Sequence, residues 1–187
     1  THSRIHAPHE LHLADFKVQV DTIPGNVAME AMGLDIEETE HLLWDRMLHR
    51  LLAASGKQVI VDKTPANALR WRRIAQCWPQ AKFIFLIRHP SHVLESMLAA
   101  AKGALGSELK QRFGEQNERW GNPESAQNML LPLLTGVIEA REALPGLTVR
   151  YEDLTGDPAS VTREICAFLG LPWEEGMLEY GRVDHGP

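Results

Sequence analysis

The stretch from Ala81 to Ser96, AKFIFLIRHPSHVLES, constrains the fold more than any other part of the chain. Its five consecutive apolar residues, from Phe83 to Ile87, show no alternation, which is typical of a parallel strand buried on both faces. Pro90 suits the first turn of a helix, because the N–H that proline lacks has no helical partner there. The stretch therefore predicts a strand, a tight turn and a helix. Arg88 would then stand at the carboxyl end of the strand, where open α/β sheets bind ligands.

The rest of the chain repeats the alternation of strand and helix. Val59 to Val61 and Leu147 to Arg150 are short apolar runs that predict two further strands. Helices are predicted over residues 36–55, 66–78, 90–101, 125–144 and 158–169. Glycines follow three of them, and Pro132 should either kink the helix over 125–144 or make it restart. The pattern predicts one α/β domain over residues 1–187, with a parallel sheet flanked by helices.

Composition limits the classes of partner. A net charge of −6 argues against a general nucleic-acid-binding surface. An anionic ligand stays possible, because basic residues cluster locally at Lys63, Arg70, Arg72, Arg73, Lys82 and Arg88. Cys77 and Cys166 lie in apolar helical patterns and are predicted to be buried free thiols, which suits a reducing compartment. No apolar run reaches the roughly 20 residues that a membrane span needs, and no signal peptide is visible, so we expect a cytoplasmic protein without a membrane partner.

Arg88 and Ser96 are a candidate pair of anion ligands. They are eight residues apart, so Ser96 would lie about two turns into the predicted helix. A guanidinium and a hydroxyl at these places would both face one anion above the turn. The alternative is that Arg88 is a structural ion-pair partner at the end of its strand.

The same stretch resembles the 3′-phosphate-binding segment of sulfotransferases that use 3′-phosphoadenosine-5′-phosphosulfate (PAPS), which carries an Arg at the strand end and a Ser eight positions later. Lys63-Thr64-Pro65 is similar to the Lys-Ser/Thr-Pro loop of that family, and Tyr151-Glu152-Asp153-Leu154 is similar to its Tyr-Glu-Asp-Leu strand. Ala7 to Leu13 resembles a segment of bacterial sulfotransferases that act on hydroxyacyl chains held on carrier proteins. The resemblance extends from residue 7 to residue 173, and it implies a P-loop-NTPase-like sulfotransferase fold.

The resemblance implies roles for the donor-binding residues. PAPS would be the donor co-substrate, without a metal. Arg88 and Ser96 would hold its 3′-phosphate. Tyr151 would lie against the adenine, although a tyrosine packed in the core as a strand residue is equally consistent with the sequence.

The resemblance also implies roles in the transfer itself. Lys63 would place positive charge near the bridging oxygen or the acceptor, the alternative being an ordinary surface lysine. Glu10 is the first choice of general base, with His12 and His185 as alternatives, and a rim carboxylate without a role is the competing interpretation of Glu10. The acceptor would be a hydroxyl group. A carrier-bound acyl chain, a small alcohol and a sugar are all candidates to bear it.

The histidines of the first twelve residues, His2, His6, His9 and His12, invite a zinc site. His9 and His12 are spaced i, i+3, which differs from the i, i+4 spacing of the HExxH helix, and Pro8 interrupts any helix before them. We therefore expect a loop at the rim of the site and no metal.

Two segments of the sulfotransferase family have no counterpart here. The Pro-Lys/Arg-Ser-Gly-Thr-Thr/Ser loop that cradles the 5′-phosphosulfate is missing, and so is the basic C-terminal segment. We expect the domain to lack its first strand, loop and helix, and these 187 residues alone to be inactive. The missing loop favours the alternative of a non-catalytic interaction domain on a sulfotransferase-like scaffold. A P-loop kinase is a third alternative, but it would need a Gly-rich Walker segment that the sequence does not contain.

Overall fold

The computed structural model of the chain describes residues 2–103, Gln111 and residues 122–179. The chain divides into two compact units, one formed by residues 1–79 and 174–187 and the other by residues 80–173. Each unit contains helices and a two-stranded parallel sheet. The predicted combination of helices with parallel strands is confirmed.

Among its described residues, the first unit contains a short parallel sheet, three α-helices and three 3₁₀ turns. Its elements are β1 (Ile5–His6), α1 (Ile23–Ala31), α2 (Ile36–Ser55), β2 (Val59–Ile60) and α3 (Trp71–Cys77), with 3₁₀ turns at Leu13–Asp15, Pro65–Leu69 and Glu175–Leu178. Ile5 lies opposite Val59 and His6 opposite Ile60. The prediction that the N-terminal segment is entirely a loop is therefore wrong, because two of its residues pair with the predicted strand at Val59.

Helix α2 has the bounds that the sequence predicts. Asp35 accepts the Glu38 N–H while the Glu38 carboxylate accepts the Asp35 N–H, which is a capping box. At the other end Gly56 adopts φ 65°, a left-handed conformation that glycine takes at little cost. Between these ends, α2 supplies the centre of the core of the first unit, Trp44, which is 1% exposed.

The core of the first unit forms around Trp44. Leu13, Ala14 and Cys77 are buried with it, and partly buried apolar residues such as Met47 and Leu48 pack against them. The Trp44 indole N–H donates to the Phe16 carbonyl at 2.8 Å, so the ring is buried without an unsatisfied donor.

The predicted helix over residues 66–78 is wrong in one respect, because the structure divides it in two. Pro65–Leu69 is a 3₁₀ turn, and α3 begins only at Trp71. Arg70 stands between them with φ −120° and ψ 12°, outside the helical region. The Asn67 amide donates to Asp62 Oδ2 at 2.9 Å, which connects the 3₁₀ turn to the preceding loop.

The second unit contains one parallel strand pair and four helices among its described residues. They are β3 (Phe83–Ile87), α4 (Pro90–Lys102), α5 (Pro123–Ala143), β4 (Gly146–Arg150), α6 (Tyr151–Gly156) and α7 (Pro158–Leu169). The two strands pair residue for residue, from Phe83 opposite Gly146 to Ile87 opposite Arg150. Its buried apolar residues are Phe85, Ala126, Leu130, Ala140, Val149 and Cys166.

Strand β3 has the predicted bounds, but the prediction that both its faces are buried is wrong. Phe85 is 8% exposed, whereas Leu86 is 51% exposed. Successive side chains of a strand point to opposite faces of the sheet. Within the described residues this sheet has two strands, and the face that carries Phe85 is covered more fully than the face that carries Ile84 and Leu86.

Helix α5 runs without interruption through Pro132, so of the two predicted outcomes the restart is wrong. A proline in a helix removes the hydrogen bond to the carbonyl four residues earlier, here that of Asn128. Both residues are exposed, and water can satisfy that carbonyl.

Two further expectations concern the thiols and the membrane. Cys77 and Cys166 are buried and not joined in a disulfide, as predicted, and burial raises the pKa of the Cys77 thiol. Within the described ranges, no helix has both the length and the apolar character that crossing a bilayer requires.

Candidate functional site

Three of the four predicted catalytic residues come together in the first unit. Lys63, in the turn after β2, forms an ion pair with Glu10 Oε1, and His12 Nε2 lies 3.5 Å from Glu10 Oε2. All three side chains are open to solvent, with 69% of Lys63, 37% of Glu10 and 48% of His12 exposed. A carboxylate, an imidazole and an ammonium group therefore stand side by side where a ligand can reach them.

Thr64 fastens the segment that carries Glu10 and His12 to the turn that carries Lys63. Its Oγ1 accepts the N–H groups of Leu11 and His12 at 3.1 and 3.3 Å and donates to Asp62 Oδ1 at 2.7 Å. The residue is only 5% exposed, so these bonds are made away from water. Thr64 therefore connects the Lys63-Thr64-Pro65 turn to the segment that carries Glu10 and His12.

His12 has an unusual backbone. Its φ of 48° and ψ of 37° place it in the left-handed region, and no other non-glycine residue in the described ranges has a positive φ. Such a conformation costs on the order of 1–3 kcal/mol and persists where neighbouring contacts impose it. Here the bond from the His12 N–H to Thr64 and the 3₁₀ turn at Leu13–Asp15 fix both sides of the residue.

Asp15 is a neighbour of His12 that the sequence did not reveal. Its Oδ2 lies 3.3 Å from His12 Nδ1, so the imidazole stands between two carboxylates, those of Asp15 and Glu10. The i, i+3 spacing across a 3₁₀ turn was the one available signal, and the turn itself was not predicted.

The second group of predicted residues lies in the second unit, at the ends of β3 and β4. Arg88 follows β3, and its guanidinium lies 4.4 Å from the centroid of the Tyr151 ring. Its Nε is buried and has no hydrogen-bond partner. Across residues 2–103 and 122–179, no carboxylate forms an ion pair with Arg88, so the structural ion pair considered as the alternative is not found there.

Tyr151 is not the core strand residue that was the alternative interpretation. It is 36% exposed and begins helix α6 directly after β4 ends, so in this chain the Tyr-Glu-Asp-Leu motif lies on a short helix. Ser96 is exposed within α4, and among the described contacts no hydrogen bond joins it to Arg88. The structure thus brings Arg88 and Tyr151 together but does not join Ser96 to them.

Glu152 makes a contact that the sequence did not indicate. Its Oε1 accepts the N–H of His89 at 3.1 Å and lies 3.9 Å from His92 Nδ1. The bond from the His89 N–H is the main reason that the pKa of Glu152 lies below its ordinary value of 4.5. His89 itself caps α4, because its Nδ1 accepts the Ser91 N–H at 3.3 Å.

The remaining site predictions concern His185 and the absence of a metal. His185 lies outside the described residues. In the part of the chain that the structure describes, no three His, Cys, Asp or Glu side chains are grouped as a metal site would need. His2 is buried, and its Nδ1 accepts the Arg4 N–H at 3.0 Å.

Two comparisons with known structures show the same fold. The sulfotransferase domain from the curacin biosynthetic pathway superposes with a TM-score of 0.65 at 24% identity, covering 98% of this chain and 71% of that one. The sulfotransferase domain from the Synechococcus PCC 7002 olefin synthase gives a TM-score of 0.60 at 22% identity, covering 98% and 70%. The α/β sulfotransferase fold expected from the sequence is confirmed.

Two curated relatives are similar in sequence. The omega-hydroxy-beta-dihydromenaquinone-9 sulfotransferase Stf3 of Mycobacterium tuberculosis is 28% identical over 148 residues, which cover 74% of this chain and 37% of that protein. The nodulation protein NoeE of Sinorhizobium fredii is 26% identical over 163 residues, covering 76% and 36%. The chain therefore spans a little over a third of the length of these relatives.

A sequence profile described as the sulfotransferase family matches residues 6–175. The match includes both groups of candidate residues described above, apart from His185. The chain belongs to the sulfotransferase family.

Proposed function

We propose that the natural protein transfers a sulfuryl group from PAPS to a hydroxyl group of an acceptor. The observation that carries the proposal is Arg88, a cation at a strand end that has a buried, unpaired Nε and no carboxylate partner within the described residues. A guanidinium without a carboxylate partner can bind a phosphate or sulfate group instead. Membership of the sulfotransferase family supports the choice of a sulfated nucleotide as that anion.

The donor would be held by residues at the ends of β3 and β4. Arg88 would donate to the 3′-phosphate, and the exposed hydroxyl of Ser96 would donate to the same group. Tyr151 is half-exposed beside Arg88 and would lie against the adenine. PAPS supplies an activated sulfuryl group together with a stable leaving group.

The acceptor would be activated by the group around Glu10. In the transfer, the acceptor oxygen forms a bond to sulfur while the bond between sulfur and the bridging oxygen breaks, and the leaving oxygen takes the electron pair. Glu10 would accept the proton of the acceptor hydroxyl, and Lys63 would offset the negative charge that develops on the transferred group or the leaving oxygen. His12 and His185 are the alternative bases.

The names of the relatives indicate only the general class of acceptor. Stf3 is named for an omega-hydroxy menaquinone substrate, and the structural relatives come from a biosynthetic pathway and an olefin synthase. For this protein we propose an acceptor with an alcohol group on an apolar chain, of which a hydroxyacyl chain on a carrier protein is one example. A cytoplasmic location is part of the proposal, since buried cysteines that form no disulfide suit a reducing compartment.

The test is calorimetric titration of the natural full-length protein with adenosine 3′,5′-bisphosphate, the product that the donor leaves behind. Replacing Arg88 by Ala should weaken binding by at least about tenfold, because a charge-assisted contact to phosphate is lost. Arg163→Ala is the matched control, since Arg163 is also stacked on an aromatic ring, that of Trp173 at 3.5 Å, but lies on α7.

Two results would contradict the proposal. One is the absence of nucleotide binding by the intact protein, which would favour a non-catalytic interaction domain. The other is an equal loss of affinity in the Arg88 and Arg163 variants, which would show that the effect is not specific to the strand end.

A further inference from the structure

The pairing of β3 with β4 places two consecutive residues of one strand end beside two consecutive residues of the other. Ile87 lies opposite Arg150, so the residues that follow, Arg88 and Tyr151, leave the sheet as neighbours. The stacking of the Arg88 guanidinium on the Tyr151 ring at 4.4 Å is the first contact between the two ends.

The second contact is one residue further along each chain segment. Glu152 Oε1 accepts the N–H of His89 at 3.1 Å. That N–H belongs to the peptide group between Arg88 and His89, so Glu152 fixes the backbone from which the Arg88 side chain departs. The contact joins residues that are 63 positions apart in the sequence.

The charges around Glu152 show which of its contacts matters most. Its neighbours are the N–H of His89, its own backbone N–H, the guanidinium of Arg150 at the end of β4, and the imidazole of His92 on α4 at 3.9 Å. The His89 N–H is the largest influence, and the pKa of Glu152 is lowered. The carboxylate is therefore charged in neutral solution, and its bond to the N–H is charge-assisted.

We propose that Glu152 is a positioning residue for Arg88. By holding the N–H of His89, it fixes the turn after β3, so the guanidinium stays stacked on Tyr151 with its donors free to bind the 3′-phosphate. This inference rests on the proposed function, because it assigns Glu152 to the same nucleotide site. It gives Glu152 a role in selecting 3′-phosphorylated nucleotides without touching them.

The experiment measures the contribution of the 3′-phosphate to binding in the natural full-length protein. Dissociation constants for adenosine 3′,5′-bisphosphate and for AMP, which lacks the 3′-phosphate, are measured by calorimetry. The ratio is the dissociation constant of AMP divided by that of the bisphosphate. In the wild type this ratio should exceed about ten, the size expected for a charged hydrogen bond. In Glu152→Ala the ratio should fall about fivefold or more, while the AMP affinity stays within about twofold.

Two further variants sharpen the test. Glu152→Gln keeps an acceptor oxygen without the charge, so it should retain more of the ratio than Glu152→Ala does. Asp153→Ala removes the neighbouring carboxylate, which is 63% exposed and contacts Arg150 at 4.0 Å, and should leave the ratio unchanged. The thermal midpoint of each variant is recorded, so that a loss of folding is not taken for a loss of selectivity.

The combination Arg88→Ala with Glu152→Ala decides whether Glu152 acts through Arg88. If it does, the double variant should show the same ratio as Arg88→Ala alone, since the effects of coupled residues do not add. An unchanged ratio in Glu152→Ala, or effects that add, would overturn the role of Glu152 alone. A wild-type ratio of one would overturn the proposed nucleotide site together with this inference.

Discussion

Thr64 shows how much can depend on one small side chain at the residue scale. Its hydroxyl connects two segments, because it donates to Asp62 of its own turn and accepts the N–H groups of Leu11 and His12. The two accepted bonds lie beside Glu10 and the strained backbone of His12. Thr64 therefore determines where the proposed base stands relative to Lys63.

Replacing Thr64 by Val should lower both stability and activity. Valine has nearly the same shape but offers no acceptor, so the partly buried N–H groups of Leu11 and His12 lose their partner. The expected cost is about 1–3 kcal/mol, which urea denaturation measures. The turnover number should fall with it, because Glu10 and His12 lose their fixed position.

Thr64→Ser is the control for this variant, since serine keeps the hydroxyl. It should remain closer to the wild type than Thr64→Val does in both measurements. Equal stability of the valine variant and the wild type would show that the hydroxyl bonds do not hold the segment.

The sequence indicated which side chains belong to the candidate site, but it did not indicate the contacts that hold them in place. The resemblance pointed to Glu10, Lys63 and Arg88 because these side chains would do the chemistry. Thr64 and Glu152 act instead on backbone N–H groups that are more than fifty residues away in sequence. Every residue except proline has a backbone N–H, so the type of the donor residue does not reveal such a bond. Neither pairing therefore has a sequence signal.

At the scale of elements, predictions were right where the pattern was long or the caps were strong. Helix α2 has a capping box and a glycine end, and α7 is preceded by the N-cap Asp157, whose carboxylate accepts the Ser160 N–H. Strand β1 was missed because two residues are too short to show a period. The break at Arg70 was missed because the apolar pattern does not show the side-chain contact between Asn67 and Asp62 that accompanies it.

The close approach of β3 and β4 makes Gly146 an element-scale test. A Cβ added there would lie 2.5 Å from Cε2 of Phe85 and 2.7 Å from the carbonyl oxygen of Phe83. The carbonyl belongs to the paired strand and cannot move without disturbing the sheet. Gly146→Ala should therefore destabilise the protein by about 1–3 kcal/mol in urea denaturation.

Gly156→Ala is the matched control, because a Cβ at the end of α6 meets nothing within 4 Å and the φ of Gly156 is not positive. Its stability should stay within about 0.5 kcal/mol of the wild type. A Gly146 variant as stable as this control would show that the two strands can separate freely at that point.

At the scale of the whole molecule, the first unit joins residues from the beginning and the end of the described chain by hydrogen bonds, and we call this contact the closure of the unit. Glu174 accepts the backbone N–H of Ser3 at 2.6 Å and also its hydroxyl, and these residues are 171 positions apart. Lys57 adds a third attachment by donating to the Ser3 carbonyl at 2.6 Å. Three segments distant in sequence therefore depend on the N-terminal residues staying in place.

This closure should weaken in acid. The Ser3 hydroxyl, followed by the Ser3 N–H, lowers the pKa of Glu174 below its ordinary value of 4.5. The stabilisation is therefore complete above 4.5, the value expected in the unfolded chain, and is lost as the pH falls through the lower folded value. Thermal midpoints of the wild type and of Glu174→Gln, measured from about pH 6 to about pH 3, should converge as the pH falls.

The control for this experiment is Glu175→Gln, the adjacent carboxylate, whose midpoint should run parallel to that of the wild type across the same range. A gap between the wild type and Glu174→Gln that stays constant down to the lowest pH would show that ionisation of Glu174 does not hold the two ends.

The residue-for-residue pairing of β3 with β4 also limits how this protein can evolve or be engineered. Loops at the start of either strand can lengthen without changing this register. Adding or deleting a single amino acid inside Gly146–Arg150 would shift the register, so that Tyr151 and Glu152 no longer lie beside Arg88 and His89. Insertional scanning should therefore find this segment intolerant of length changes even where it accepts substitutions.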